Sequence, residues 1–402
     1  MPKLNVETSI GGTEVFGDEQ ELRRRKYLLL LLLLLLLMLC VSLGLFFRYL
    51  MKPEPIPDML PQQIKVNYPP HYLYSIYGVD KPVGVALSPN GKTIYVTETD
   101  GERMVKMFDR DGNLLGKFTA PGTTVGERAP VYIATDKSGR VFVSDRTQGV
   151  IYVYTEKGSL VDVIISPTLT LSEYVAKHNG GSLPAGTTLS YNWFSPDVHY
   201  QIPGKGDQTL PAPTTELAWG PLGIRFDKEG NMWVTTLLAD RHFVIKFPAD
   251  VMKAKSWEDF NPPDLSFGQL GKEADQFEYP NTVIPDDKGR IYISDGNNAR
   301  VSAWSAEFKH LLNFGRGTGD QALNLPRGAW IDKKDKLFVT DAVGQTVRVY
   351  DVSGDEPVFL YIFGDFGTED GQFNYPNDIV IDQTGRLYIA DRENNRVQVW
   401  SH

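Results

Sequence analysis

Six times in this 402-residue chain a proline opens a short apolar run, and the residue after it is Val83, Val131, Leu222, Asn281, Arg327 or Asn377. Asp378 comes next in the last copy. Half of this set is apolar, and half carries amide, guanidinium and carboxylate groups. Such a cluster suits an anion, a metal or trapped water, since it mixes donors with acceptors in one place. Positions that recur in every copy read differently. Asp145, Asp295, Asp341 and Asp391, with Glu98 and Thr236 in the same slot, close the second run of nearly every copy. Their expected task is to accept backbone hydrogen bonds in the following turn, where Asn297, Asn298, Asn394 and Asn395 tolerate left-handed backbone. Arg300, Arg348 and Arg396 recur likewise and are expected to bond within or between copies. The six histidines, His71, His178, His199, His242, His310 and His402, avoid the first run, so a zinc trio is not expected. "DRDGN" at 109–113 lacks the later ligands of a calcium loop and reads as a hairpin turn. No serine elbow, P-loop or dinucleotide fingerprint is present, and neither metal nor cofactor is expected.

Each proline opens a unit of short strands: an apolar run, a polar turn, a second strand of the type "RLYIAD", another turn, and a third of the type "RVQVW". Copies begin at Pro82, Pro130, Pro221, Pro280, Pro326 and Pro376, with a fourth strand between copies ending in "FG" in "LLNFG" and "FLYIFG". Four strands every 40–50 residues or so is the signature of propeller blades. The stretch "G…DGQF…P…IVID…GRLYIAD…NNRVQVW" at 367–400 closely resembles the NHL repeat, and "YPNTVIPDDKGRIYISDGNNARVSAW" at 279–304 matches almost as well. The resemblance extends over about residues 73–402, more weakly at the Pro82 and Pro221 copies. It implies an all-β fold, a closed six-bladed β-propeller, and a face for binding other molecules. Some members of the family are enzymes, and fold alone does not decide between the two. The histidine placement departs from the zinc-dependent amidating lyases of this type. Lactonase-like propellers use Asn, Asp and Glu at the channel mouth, and Asn281, Asn377 and Asp378 keep that alternative open.

In such a blade, with its strands lettered a to d in chain order, the b–c turns and the d–a linkers share one face. A long insert at about 166–215 emerges there, carrying Tyr191, Trp193, Phe194, His199 and Tyr200. Long loops of this kind are commonly binding elements, and these aromatics are either partner contacts or packing against the rim. Within the insert, "LTLSEYVAKH" reads as one short amphipathic helix. On the opposite face, residues 248–263 read as a surface helix.

The N-terminal part is of another kind. Tyr27–Phe47 carries no charge, and at about 1.5 Å per residue it spans the roughly 30 Å hydrocarbon core of a bilayer. Arg23, Arg24, Arg25 and Lys26 precede it, whereas only Arg48 and Lys52 follow closely, so the positive-inside rule puts the N-terminus in the cytoplasm. The run exceeds a signal-peptide core, and no small-residue cleavage site follows it. The expected organisation is a cytoplasmic tail (1–22), a transmembrane anchor (23–50), a proline-rich spacer (51–71) and the propeller (72–402). The chain is expected at the cell membrane with the propeller outside, and "YLYSIYG" at 72–78 to complete the last blade by pairing with "RVQVW" at 396–400. A net charge of −9 argues against nucleic acid as a partner. The function this favours is a tethered module that binds a protein or other macromolecule through the insert's face. A metal-assisted hydrolase with its site at the channel mouth is the alternative.

Overall fold

The computed structural model describes residues 15–51, 68–215, 219–253 and 261–401. The first part of the expected tail and most of the expected spacer lie outside them. The chain divides into two compact units. One contains the helix Val15–Met51, whose segment Arg23–Arg48 has a mean hydropathy of 3.2 and is long and apolar enough to cross a membrane. Its leucines stand exposed, as a helix without a protein core to bury them must leave them.

The second unit is built of antiparallel sheets. Blade 1 has strands Pro82–Leu87, Thr93–Glu98, Val105–Asp109 and Leu114–Phe118. Blade 2 has Pro130–Thr135, Val141–Asp145, Val150–Tyr154 and Leu160–Ser166, to whose edge Leu169–Thr170 adds. Blade 3 follows with Pro221–Phe226, Met232–Leu237, His242–Phe247 and the very short Ser266–Phe267. Blade 4 has Pro280–Pro285, Ile291–Asp295, Arg300–Trp304 and His310–Phe314. Blade 5 has Pro326–Ile331, Lys336–Asp341, Thr346–Asp351 and Val358–Phe363. Blade 6 takes Pro376–Ile381, Leu387–Asp391 and Arg396–Ser401, and its fourth strand is His71–Ile76. That strand runs antiparallel to Arg396–Ser401, Tyr72 opposite Trp400 and Ile76 opposite Val397. The first strands of neighbouring blades contact one another in a closed circuit, blade 6 meeting blade 1. Blades touch through apolar side chains, as where Phe363 of blade 5 meets Trp400 of blade 6 with ring centroids 4.9 Å apart.

One local device sets the inner wall. Proline lacks an N–H and therefore suits the first position of a strand. In every blade the register between the first and second strands shifts just after that proline, as between Pro326 and Ala329 and between Pro376 and Ile379. A bulge re-aims the side chains it contains. The residues that break the repeat sit in these bulges, at the channel end shared by the d–a linkers and b–c turns.

The insert holds the helix Leu171–His178, which the sequence predicts, capped by Thr170 accepting from the Glu173 N–H. Its other element is a three-stranded sheet, Thr188–Ser190, Asp197–Ile202 and Gly206–Pro211. Leu171, Val175, Leu189, Val198 and Ile202 pack with Tyr152, Tyr154 and Val163 of blade 2 into a single core. The middle of the expected surface helix at 248–263, residues 254–260, lies outside the described residues, and its described flanks form 3-10 turns at Val251–Lys253 and Pro262–Leu265.

Candidate functional site

The recurrent acids are framework, as their repetition predicts. Asp145 accepts the N–H groups of Ala129, Thr147 and Gln148, which ties the incoming linker to the outgoing turn. Asp391 does the same from Asn374 N, Asn394 and Arg396. Arg396 in turn donates to the carbonyls of Glu369 and Gln372. Burial pushes the carboxyls of Asp145 and Asp295 upward, and the donors around them counteract it.

At the channel mouth lies a cavity of about 290 Å³. Val83, Val131 and Leu222 form its apolar half, from blades 1 to 3. Blades 4 to 6 bring Asn281, Arg327 and Asn377 together at its polar side. Asn281 donates its amide to the carbonyls of Tyr279 (3.0 Å) and Pro326 (3.1 Å), and its Oδ1 accepts from Arg327 at 2.6 Å. The same guanidinium donates to the Tyr375 hydroxyl at 2.9 Å. Asn377 donates to the Val83 carbonyl at 3.1 Å, across the junction where the ring closes.

Asp378 does not join this group. It is fully buried, accepts the Val85 N–H, and forms an ion pair with Arg225 at 2.7 Å. Blades 3 and 6 are opposite members of the ring, so this pair ties the inner wall across the channel. Arg225 also faces the Trp330 ring at 5.6 Å and lines the cavity of the other face. Desolvation pushes the Asp378 carboxyl upward, the Arg225 charge opposing it.

Five residues of the mouth escaped the sequence reading. Tyr279 and Tyr375 precede the prolines of copies 4 and 6, and both hold left-handed backbone, with φ of 67° and 63°. Arg146 and Arg392 follow the framework acids of copies 2 and 6. Arg146 donates to the Tyr279 hydroxyl at 2.9 Å, and Arg392 lies over the Tyr375 ring at 5.6 Å while pairing with Glu393. The fifth is Tyr132, hidden in a β-typical run. The available signal was that these positions also break the repeat: Gly296 and Ala342 occupy the arginine position in copies 4 and 5.

The insert's aromatics separate. Tyr191 and Tyr200 are buried in the core shared with blade 2 and serve packing. Trp193 and Phe194 are 61% and 57% exposed. Their loop is fixed to the b–c turn of blade 2, because Gln148 bonds both Asn192 and the Trp193 N–H. His199 is exposed and faces Asp207 at 3.4 Å. Among the described residues no three His, Cys, Asp or Glu side chains converge as a metal site would require.

Comparison with known proteins adds the following. The NHL repeat family matches residues 373–400. NHL repeat-containing protein 3 of Mus musculus is 32% identical over 88 residues, 21% of this chain and 25% of that protein. Lactonase drp35 of Staphylococcus saprophyticus is 33% identical over 87 residues, 21% of this chain and 27% of that protein. The chain thus spans about a quarter of the length of these relatives. A streptogramin B lyase structure superimposes with a TM-score of 0.50 at 14% identity, covering 83% of this chain and 98% of that one, a likeness of fold alone. Repeat, sheet order and relatives agree, and the chain is a β-propeller that carries an NHL repeat at 373–400, with an apolar N-terminal helix.

Proposed function

We propose that this protein is a propeller tethered to the cell membrane by its N-terminal helix, which binds a protein or other macromolecular partner outside. One observation carries the reading: the channel mouth and the exposed Trp193–Phe194 tip belong to the same face, joined through blade 2. Gln148 holds the tip, and Arg146, two residues earlier in the same turn, reaches the mouth. Large aromatics held on a rigid scaffold are the usual anchors of recognition surfaces. The basic flank Arg23–Lys26 supports a cytoplasmic N-terminus.

The alternative, a metal-assisted hydrolase, draws support from the likeness to Lactonase drp35. The donors of this mouth fit it poorly. Asp378 is engaged by Arg225, and the amide oxygen of Asn281 already accepts from the Arg327 guanidinium.

A photo-reactive amino acid at position 193 of the full-length protein tests the binding reading in intact cells. A discrete adduct is expected there, and none with the probe at Lys333, in the a–b turn on the other face. Equal labelling at both positions, or none at 193, would sink it. Protease applied from outside should digest the propeller, and protection of the propeller would refute the orientation.

A further inference from the structure

The chain carries a net charge of −9, yet its channel mouth gathers three arginines and no acid lines the cavity. Two of the three lack a carboxylate partner among the described residues. Arg327 is held by an amide oxygen and a phenol, and Arg146 by a phenol. A guanidinium that is positioned but not neutralised is a binding fork for carboxylate or phosphate.

Tyr132 makes an independent observation. Its side chain lines the same cavity, is 2% exposed, and has a hydroxyl with no hydrogen-bond partner. Asn377 and Arg327 are its polar neighbours, and neither makes a well-formed hydrogen bond with its hydroxyl. Buried polar groups are nearly always partnered, and an exception at a cavity wall points to a missing acceptor. Arg327 Nε is likewise buried without a partner. The tyrosines around these donors hold unfavourable backbone, Tyr279 at φ 67° and Tyr375 at φ 63°. Such strain persists where surrounding structure enforces it, and it clusters at ligand sites.

We infer that the channel mouth binds the oxyanionic head group, carboxylate or phosphate, of a ligand with an apolar body. The head group accepts hydrogen bonds from Arg327, Arg146 and Tyr132. The body lies against Val83, Val131 and Leu222. This rests on reading that face as the recognition surface, and it names the chemistry recognised there.

The test titrates full-length protein in detergent micelles with benzoate, phenyl phosphate and the uncharged benzamide by isothermal calorimetry. At least one anion binds with a Kd of about 1 mM or tighter, and benzamide binds about tenfold more weakly or not at all. Arg327→Gln weakens the anion about tenfold or more, and Tyr132→Phe, which keeps the ring and the packing, about threefold. Preference for benzoate identifies a carboxylate ligand and preference for phenyl phosphate a phosphate one; either supports the site. Failure of both anions, equal binding of all three compounds, or unchanged affinity in either folded variant overturns it. The cross-linking at position 193 does not depend on the mouth, so loss of the adduct with anion binding intact rejects only the partner reading.

Discussion

Asp378 and Asn377 are adjacent in one bulge and do different work. Asn377 reaches the mouth, whereas Asp378 turns into the wall and meets Arg225. A carboxylate sealed from water is stabilising only while its partner is present, because removing either member strands the other charge. Asp378→Ala should therefore lower unfolding free energy by about 3–5 kcal/mol, measured by urea denaturation. The double variant Asp378→Leu with Arg225→Met should recover most of that loss, since apolar groups of similar volume replace buried pairs at little penalty. A double variant as unstable as the single one would show that the carboxylate serves some other purpose. At this scale the sequence was legible where a residue broke a repeat of one type. Asn281, Arg327 and Asn377 stood out among valines and leucines. Tyr132 did not, because a tyrosine in "PVYIAT" looks like any strand residue, and the lack of a partner for its hydroxyl is a property of the surroundings.

The strands that line the channel alternate in a way that only the packed ring explains. Two residues after each proline the copies read Gly84, Tyr132, Gly223, Thr282, Gly328 and Asp378. A Cβ on Gly84 would come 2.5 Å from the Val131 carbonyl oxygen, and one on Gly223 would come 2.2 Å from that of Asn281. Each glycine lets the next blade's inner strand approach, so three bulkier residues fit around one narrow channel. The obstacle is backbone and cannot rotate away. Gly223→Ala should destabilise by about 1–3 kcal/mol, the usual range for overpacking, and should weaken anion binding by displacing Asn281. Thermal melts together with titration check both effects, and a variant with unchanged melting would show that the blades have slack. The insert carried the opposite lesson. The sequence reads it as a long loop with one helix, yet a sheet with one face buried needs apolar residues only at alternate positions. Val198, Tyr200 and Ile202 supply them, and blade 2 provides the rest of the core.

For the whole molecule the decisive contact joins the two ends of the propeller. Without His71–Ile76, blade 6 would expose the Arg396–Ser401 strand as an open edge. The partner strand comes from more than 300 residues earlier in the chain, so no local preference can form it. The sequence made this closure legible because the count of strands left one unpaired at each end. The bulge between Tyr72 and Tyr74 in the closing pair was not legible. Ile76 is the anchor of the closing strand, 1% exposed and packed with Val85, Phe108, Tyr388 and Val397, so it bridges blades 1 and 6. Ile76→Ala should cost about 2–5 kcal/mol, as deletion of a fully buried aliphatic does. If closure holds the ring as one cooperative body, that loss appears as a single transition shifted to lower denaturant in both fluorescence and far-ultraviolet circular dichroism. If each blade is stable alone, the two probes separate, and most of the signal melts where the parent protein does. Removal of residues 391–402 sharpens the contrast, since it takes away the strand on which His71–Ile76 docks. A ring that depends on its closure loses the entire transition, whereas an unchanged melt would mean that the remaining blades stand without the sixth.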